Sequence, residues 1–226
     1  MKKITAAFLF LLMVSCAQKK ETIVVTPENV RDVLTQYGKE NPENEVTIET
    51  SFGTMRLKLY EDTPLHRANF VKLIKDGQYD NAEFYRIATG FMIQGGDLNK
   101  KLKYRVPAEF RPEHFHKKGA LSMARVDENN PNMESSAAEF YIIHGTTYYP
   151  EDIDAEDKTL GISHTPEQKK IYEDVGGYLT LDQKYTVFGE VVEGFDVIDK
   201  IASQKVYDLE KPLQKIPMKV TLVEKP

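Results

Sequence analysis

The feature that most constrains the fold of this chain is residues 84–97, where a glycine-containing turn separates two short strand-like runs. Side chains along a strand alternate between its two faces, so Phe84 and Arg86 are predicted to share a face in the first run. By the same rule, Met92 and Gln94 share a face in the second run. If the runs pair as a hairpin, a guanidinium, an amide and an apolar floor line one concave surface. Such a surface suits an apolar ring flanked by peptide groups.

The rest of the chain combines short strand-like runs with two well-separated helical patterns. Residues 46–48 and 55–59 alternate apolar and polar side chains, which predicts a half-buried antiparallel hairpin, and residues 218–222 repeat the alternation. Residues 63–77 and 193–202 carry apolar side chains at helical spacing. Many short strands with two separate helices predict a β-barrel closed at its ends.

Residues 84–97 closely resemble the signature of the cyclophilins, written roughly F-H-R-x-x-x-G-F-M-x-Q-G-G-D. The resemblance continues at residues 119–124, 139–142 and 181–189, and it spans about residues 45–226. It implies a mainly β fold, an eight-stranded antiparallel closed β-barrel capped by two α-helices. It also implies peptidyl-prolyl cis-trans isomerase activity, which uses no metal or organic cofactor.

Prolyl isomerisation is a rotation about an amide bond, so its catalyst needs no nucleophile. Delocalisation of the nitrogen lone pair creates a rotational barrier of roughly 18–20 kcal/mol, and both isomers of an X-Pro bond are populated. A donor aimed at the prolyl nitrogen, with a pocket gripping the ring, would favour the twisted amide by differential binding. Arg86 is expected to be this donor because its guanidinium is planar and always charged. It matches the catalytic arginine of the cyclophilins, within F-Y-R where they commonly have F-H-R.

The resemblance also implies a substrate groove around Arg86. Phe91 and Met92 are expected to floor the proline pocket, and Gln94 to bind the substrate backbone or hold the arginine. Ala124 is expected to pair with the peptide through its main chain. The matched substrate-binding positions beyond these are Arg125, Glu139, Tyr141, Leu181 and Tyr185.

Two positions depart from the cyclophilin pattern in ways that bear on activity. Glu139 replaces a glutamine near the groove, so it is expected to pair with Arg86 or Arg125, or to favour substrates with basic flanks. Thr180 falls where many cyclophilins have a tryptophan used in cyclosporin binding. Weak affinity for cyclosporin is therefore expected.

Residues 146–179 exceed the short connection found in many cyclophilins. Residues 150–158 are acidic, and Thr165 with Gln168 forms a predicted capping box that opens a helix before the glycines at 176–177. This helical insertion lies next to the implied groove. It either shapes access to the groove or is a surface elaboration without function.

The N-terminus is predicted to be a targeting element. Lys2 and Lys3 precede an apolar run over residues 4–14 that is too short to span a bilayer. The residues that end this run resemble a bacterial lipobox. They predict a lipoprotein signal peptide over residues 1–15 and lipidation of Cys16, the only cysteine of the chain. An ordinary cleaved signal with an incidental cysteine is the alternative.

Residues 16–44 are predicted to form a lipid-anchored tether with a short helix, ahead of an isomerase domain over residues 45–226. Thr26 is the predicted helix cap and Gly38 the predicted end. The apolar stripe of this helix is expected to pack on the domain, with a dimer contact as the alternative. It consists of Val30, Val33, Leu34 and Tyr37.

Composition and motifs argue against several other classes of protein. The net charge is −5 and no basic stripe is present, which disfavours nucleic-acid binding. His114 and His116 form an H-x-H pair without further nearby ligands, so no metal site is predicted. Ser122 and His144 have no acid at readable spacing, so a hydrolase triad is unsupported.

Together these observations predict a membrane-anchored lipoprotein of the bacterial cell envelope, monomeric and without cofactors. Its partners would be proline-containing polypeptides, chiefly unfolded or folding envelope proteins. One alternative is a non-catalytic cyclophilin-like module that holds proline-containing peptides. Another is a structural envelope protein whose N-terminal helix mediates assembly.

Overall fold

The computed structural model describes residues 24–97 and 102–223. The predicted signal peptide over residues 1–15 and the predicted lipidation site Cys16 lie outside these described residues. Within them, no helix is both long and apolar enough to cross a membrane. The described helices are α1 (Val30–Glu40), α2 (Pro64–Lys75), α3 (Pro150–Leu160), α4 (Pro166–Asp174) and α5 (Phe195–Ala202). The strands are β1 (Glu45–Thr50), β2 (Gly53–Leu59), β3 (Glu83–Ala88), β4 (Met92–Gly96), β5 (Arg105–Val106), β6 (Ala120–Met123), β7 (Ser135–Ser136), β8 (Phe140–Ile143), β9 (Val187–Glu193) and β10 (Lys219–Leu222).

Eight strands form one antiparallel sheet in the order β10-β1-β2-β9-β6-β8-β4-β3. The sheet curls until its two edges approach each other. Glu83 forms a single bridge with Pro217, and the Phe84 N–H donates to the Ile216 carbonyl over 2.9 Å. The mainly β, eight-stranded antiparallel prediction is confirmed. A closed barrel was too strong a prediction, because the edge strands share this bridge rather than a full ladder, and the sheet is a half-barrel.

The core lies inside the curl of the sheet and beneath helices α2 and α5. Strand alternation in β1 and β2 buries every second side chain, as the sequence predicts. Phe70 of α2 meets Phe140 and Phe188 edge-on, with ring centroids 5.5 and 5.4 Å apart. Helix α5 adds an apolar stripe at helical spacing and begins later than predicted, because Gly194 takes a left-handed turn at φ 87°. The buried residues of this stripe are Val197, Ile198, Ile201 and Ala202.

Both predicted ends of helix α1 are wrong. The helix begins at Val30 because Thr26 instead starts a turn, in which its carbonyl accepts from the Asn29 N–H at 3.3 Å. Gly38 lies within the helix rather than after it. A Cβ at this position would lie 3.0 Å from the Cβ of Ala68 on α2. The glycine therefore permits the close approach of two helices.

Helix α1 packs on the rest of the chain, as expected for its apolar stripe. Leu34 is fully buried against Leu65 and Tyr104. At the C-terminal end of α1, the guanidinium of Arg67 donates to the carbonyls of Gly38 and Asn41 over 3.0 Å each. These bonds satisfy carbonyls that have no partner within the helix.

The insertion contains two helices, of which the sequence predicted one. The capping box of α4 is confirmed, because the Thr165 and Gln168 side chains each accept from the other's backbone N–H. Helix α3 was missed, although it has proline at its first turn and ends at Gly161 in the left-handed conformation. Tyr172 and Ile153 bury the contact between the two helices. The acidic run is therefore part of a helix, whose exposed side carries most of its carboxylates, while Asp157 is buried.

Candidate active site

Strands β3 and β4 form the predicted hairpin, but a bulge changes which side chains share a face. Phe84 pairs with Gly95 and Arg86 with Gln94, so Tyr85 is the extra residue. Phe84 consequently enters the main core while Arg86 faces outward. The prediction that these two side chains share a face is wrong. The bulge instead places Tyr85 and Arg86 together beside Gln94, a rearrangement that simple alternation cannot anticipate.

The guanidinium of Arg86 is held from two sides. Its Nε donates to Oε2 of Glu210 at 2.7 Å, and its Nη1 donates to Oε1 of Gln94 at 3.2 Å. Gln94 is oriented in turn, because its Nε2 donates to the Tyr85 hydroxyl at 2.7 Å. The Phe91 ring lies 6.0 Å from the guanidinium carbon. The arginine therefore stands at a defined place above an aromatic ring, and among the described residues its other N–H groups have no hydrogen-bond partner.

A cavity of about 240 Å³ opens beside this arginine. It brings together every residue that the sequence assigned to catalysis or substrate binding, except Glu139. The lining consists of Arg86, Phe91, Met92, Gln94, Ala124, Arg125, Tyr141, Leu181 and Tyr185.

The floor and walls of the cavity are apolar and aromatic. Met92 and Tyr141 are buried in a cluster separate from the main core. Phe91 stacks on Tyr178 with centroids 4.1 Å apart, so its ring is supported from behind. Tyr185 meets Tyr141 edge-on at 6.3 Å. This surface can bury a small apolar ring with little rearrangement, because its own side chains are packed in place.

Ala124 and Arg125 form the opposite rim, with their polar groups already engaged. The Ala124 N–H donates to the Glu139 carbonyl at 2.7 Å, and its own carbonyl accepts from the Ser136 N–H at 2.8 Å. Both main-chain groups of Ala124 thus already have a partner in the fold, and its expected pairing with the peptide, which would use the second lone pair of the carbonyl oxygen, stays a prediction. Arg125 lies over the Tyr185 ring at 4.2 Å and pairs with Asp127 at 2.6 Å. It acts as a fixed wall of the cavity.

Glu139 is the one assigned site residue that does not line the cavity. Its side chain is outside the cavity lining, and within the described ranges it forms no ion pair with Arg86 or Arg125. The physical reason is that both arginines have other carboxylate partners, Glu210 and Asp127. Burial, and then the charge of Glu139, raise the pKa of the Tyr85 hydroxyl, which keeps that hydroxyl protonated beside Gln94.

A buried hydrogen-bond network, which the sequence did not reveal, lies behind the cavity wall. The Tyr141 hydroxyl meets Nε2 of His116 at 3.1 Å, and Nδ1 of His116 meets Oδ1 of Asp182 at 2.7 Å. Oδ2 of Asp182 accepts from Tyr172 at 2.5 Å and faces Nε2 of His164 at 2.8 Å. The cavity wall is thus linked to helix α4 of the insertion through polar groups alone.

The charge state of this network follows from its geometry. His164 faces Asp182 through one ring nitrogen and Asp157 through the other, and both nitrogens can donate only when the ring is protonated. Burial alone would lower the pKa of His164, but the two carboxylates outweigh it and raise the pKa. Burial alone would raise the pKa of Asp182, but hydrogen bonds from His116 and His164 hold it far below its usual range.

The two histidines of the H-x-H pair form hydrogen bonds with different carboxylates. His114 meets Asp62 at 2.7 Å and stacks on the Tyr60 ring at 3.8 Å, whereas His116 is buried against Asp182. Over residues 24–97 and 102–223, no three histidine, cysteine or carboxylate side chains form a group that could hold a metal ion.

Solved structures place this architecture among the cyclophilins. A cyclophilin-type peptidyl-prolyl cis-trans isomerase from Cryptosporidium parvum aligns with a TM-score of 0.60 at 23% identity, covering 81% of this chain and 99% of that one. A second structure of that protein, in the presence of the dipeptide Ala-Pro, aligns with a TM-score of 0.59 at 22% identity, over 80% and 99%. A cyclophilin from Hirschia baltica has a TM-score of 0.56 at 21% identity, over 89% and 82%. At these low identities, the TM-scores show a likeness of fold alone.

Sequence comparison identifies the family. The family model described as "Cyclophilin type peptidyl-prolyl cis-trans isomerase/CLD" matches residues 45–223. The chain belongs to the family of cyclophilin-type peptidyl-prolyl cis-trans isomerases. A relative named as such an isomerase in Staphylococcus saprophyticus is 36% identical over 197 residues, covering 81% of this chain and 95% of that protein. The corresponding protein of Staphylococcus haemolyticus is 35% identical over 192 residues, covering 80% and 92%.

Proposed function

We propose that this chain accelerates cis-trans exchange of X-Pro bonds in unfolded or folding envelope proteins, with Arg86 as the catalytic donor. The observation that carries the proposal is the guanidinium held between Glu210 and Gln94 at the rim of an apolar cavity. A prolyl ring would occupy the floor formed by Phe91 and Met92. The donor would then face the prolyl nitrogen, whose lone pair becomes available only as the amide twists.

A hydrogen bond from Arg86 to the prolyl nitrogen would stabilise the twisted amide more than the planar one. In the planar amide the nitrogen lone pair is delocalised, so a donor gains little from it. In the twisted amide the nitrogen is a competent acceptor, and a charge-assisted bond to it is roughly twice as strong as a neutral one. Each tenfold acceleration requires about 1.4 kcal/mol of such selective stabilisation. Binding of the prolyl ring and positioning of the flanking peptide must supply the remaining stabilisation of the transition state.

The substrate class is inferred from the same cavity. A structure related in fold was solved in the presence of the dipeptide Ala-Pro. By analogy, the partners of this chain would be proline-containing polypeptides, bound without a cofactor. Arg125 at the cavity rim already forms an ion pair with Asp127. Substrate recognition would therefore depend on the prolyl ring and the peptide backbone more than on charged residues beside the proline.

We place this activity at a bacterial membrane on the basis of the N-terminal sequence alone. Lipidation at Cys16 after removal of residues 1–15 would anchor a monomeric enzyme facing exported proteins. Stable anchoring needs more than one acyl chain. Mass spectrometry of the chain from a bacterial host should find lipid at Cys16 and a membrane-bound protein. A Cys16→Ser variant that remains membrane-bound with an unchanged N-terminus would contradict this assignment.

The test of the enzymatic role is a prolyl isomerisation assay with short X-Pro peptides, varying X among apolar, acidic and basic residues. Arg86→Ala should lower kcat/KM by about a hundredfold, the usual cost of removing one transition-state donor. Arg56→Ala is the matched control. Arg56 is also a strand arginine paired with a glutamate, and its side chain is 42% exposed against 41% for Arg86.

A non-catalytic binding module is the second candidate, because the Glu210 carboxylate already engages Arg86. That module would bind proline-containing peptides without accelerating their exchange. Titration of the labelled chain with the same peptides distinguishes the two. Binding with no acceleration for any X would favour the module. Acceleration that Arg86→Ala abolishes and Arg56→Ala preserves would establish the enzyme.

A further inference from the structure

The carboxylate that meets Arg86 comes from a small hairpin near the C-terminus. Residues 205–213 fold back on themselves through a bridge between Val206 and Pro212. Backbone hydrogen bonds close the hairpin, from the Tyr207 N–H to the Lys211 carbonyl at 2.7 Å and from Leu213 to Lys205 at 2.9 Å. Its tip is a 3₁₀ turn over Asp208–Glu210. The tip lies against β3, the strand that carries Arg86.

The tip has an unfavourable local conformation. Leu209 and Glu210 both have positive φ, 65° and 62°, in the left-handed region that residues other than glycine rarely adopt. Leu209 is also 93% exposed, so its own side chain contributes almost no burial. Strain of this kind persists only where surrounding contacts maintain it, and it clusters at functional sites. The contact that the strained tip delivers is the Glu210–Arg86 pair.

The Arg86 guanidinium has more donors than its two partners use. A guanidinium has five N–H donors. Glu210 takes the one on Nε and Gln94 takes one on Nη1. These two partners approach different sides of the planar group, so they restrict its rotation. Within residues 24–97 and 102–223, the remaining donors have no other partner. If Gln94 were the sole partner, one hydrogen bond would leave the guanidinium free to rotate.

We propose that Glu210 is a positioning residue for isomerisation, holding the Arg86 guanidinium in the orientation in which a free N–H meets the prolyl nitrogen. This inference rests on the function proposed above. It assigns the hairpin at residues 205–213 a role in the reaction through Arg86, without contact with the substrate. It also explains why a strained turn is retained at the rim of the cavity.

The experiment measures kcat and KM of the full chain on an uncharged X-Pro peptide, for wild type, Glu210→Ala and Glu210→Gln. Both side chains of the pair are about two-fifths exposed, which limits the effect. Glu210→Ala should lower kcat about two- to fivefold with KM unchanged, as for an exposed ion pair. Glu210→Gln should recover part of the loss, because its amide oxygen can still accept from Nε.

Asp208→Ala is the matched control for charge and for the hairpin. Asp208 lies on the same tip, and within the described ranges its side chain forms no hydrogen bond or ion pair. This variant should keep wild-type kcat and KM. Alanine retains a Cβ at the left-handed Glu210 position, so it does not relieve the strain there as glycine would. Circular dichroism and thermal unfolding should confirm that all variants remain folded.

Two further readouts separate positioning from a structural role. Rising ionic strength should narrow the gap between wild type and Glu210→Ala, because salt screens an exposed pair. Arg86→Ala combined with Glu210→Ala should be no slower than Arg86→Ala alone. An active wild type with Glu210→Ala equally active or faster would overturn the inference and leave the proposed function standing. A wild type that does not accelerate exchange would overturn both.

Discussion

Replacement of Asp182 by asparagine is the sharpest test of the buried network behind the cavity wall. The Asp182 side chain is 2% exposed. Its Oδ1 accepts from the backbone N–H and ring Nδ1 of His116 at 2.8 and 2.7 Å, and its Oδ2 accepts from Tyr172 and His164. Asparagine has nearly the same shape but presents an NH₂ group in place of one oxygen. Two of the four donors would then face another donor.

The magnitude follows from these contacts. Each buried polar group left without a partner costs about 1–3 kcal/mol, and breaking a buried ion pair costs about 3–5 kcal/mol. Rotation of the Tyr172 hydroxyl, and loss of the proton on Nε2 of His164, would recover part of this. We therefore expect Asp182→Asn to lower the free energy of unfolding by about 3–5 kcal/mol. For a chain of this length, that corresponds to a Tm lower by roughly 6–20 °C.

The pH dependence gives the prediction a second, independent signature. The lowered pKa of Asp182 contributes stability that is present above its unfolded value, near 4, and is lost as pH falls through the folded value. The raised pKa of His164 contributes stability that is present below about 6.5 and is lost as pH rises through its folded value. The network should therefore stabilise the chain most between about pH 4 and 6.5.

Urea and thermal unfolding of wild type and Asp182→Asn across this pH range provide the assay. Asp174→Asn is the control, because Asp174 lies in α4 of the same insertion but its side chain is 55% exposed. The control should unfold like wild type at every pH. The gap between wild type and Asp182→Asn should be widest near pH 5–6. An Asp182→Asn chain within about 1 kcal/mol of wild type throughout would refute the reasoning.

Three further substitutions test other parts of the structure. Tyr141→Phe keeps the ring in the cavity but removes the hydroxyl partner of His116. Unfolding measurements should show a free energy of unfolding lower by about 1–3 kcal/mol, while isomerase kcat/KM stays within about twofold of wild type. Gly145→Ala should lower Tm by several degrees in calorimetry, because φ is 71° and a Cβ would lie 2.6 Å from the Gly177 backbone. Arg67→Ala should destabilise the C-terminal end of α1 by about 2–3 kcal/mol, because the carbonyls of Gly38 and of the C-cap residue Asn41 lose a charged donor. Faster amide hydrogen exchange at that end would show the change.

Much of the fold was predictable from the sequence because it depends on short-range signals. Alternation in β1, β2 and β10, helical spacing in α2 and the capping box of α4 each involve residues a few positions apart. The missed helix α3 carried comparable signals in Pro150 and Gly161, which its acidic composition obscured. The wrong end assigned to α1 has a different cause. Gly38 reads locally as a helix stop, but it serves a contact with α2.

In the candidate site, too, some features follow from the local sequence and others depend on contacts between distant residues. Ten site residues were assigned by resemblance, and nine of these ten line one cavity. Glu139 was expected to pair with Arg86 or Arg125, or to favour substrates with basic flanks, and among the described residues it pairs with neither arginine. The structure instead supplies Glu210, which is 124 positions away along the chain. No local pattern signals such a pairing.

By itself the sequence determined the strand and helix periodicities, the aromatic and apolar residues available for a proline pocket, and the presence of an arginine among them. These properties are written in residue type and spacing. Only the tertiary structure decided the bulge at Tyr85, the attachment of Glu210 to Arg86, and the network joining Tyr141 to the insertion through Asp182. Each depends on strand register and on which loops the curled sheet brings together, and folding alone sets those distances.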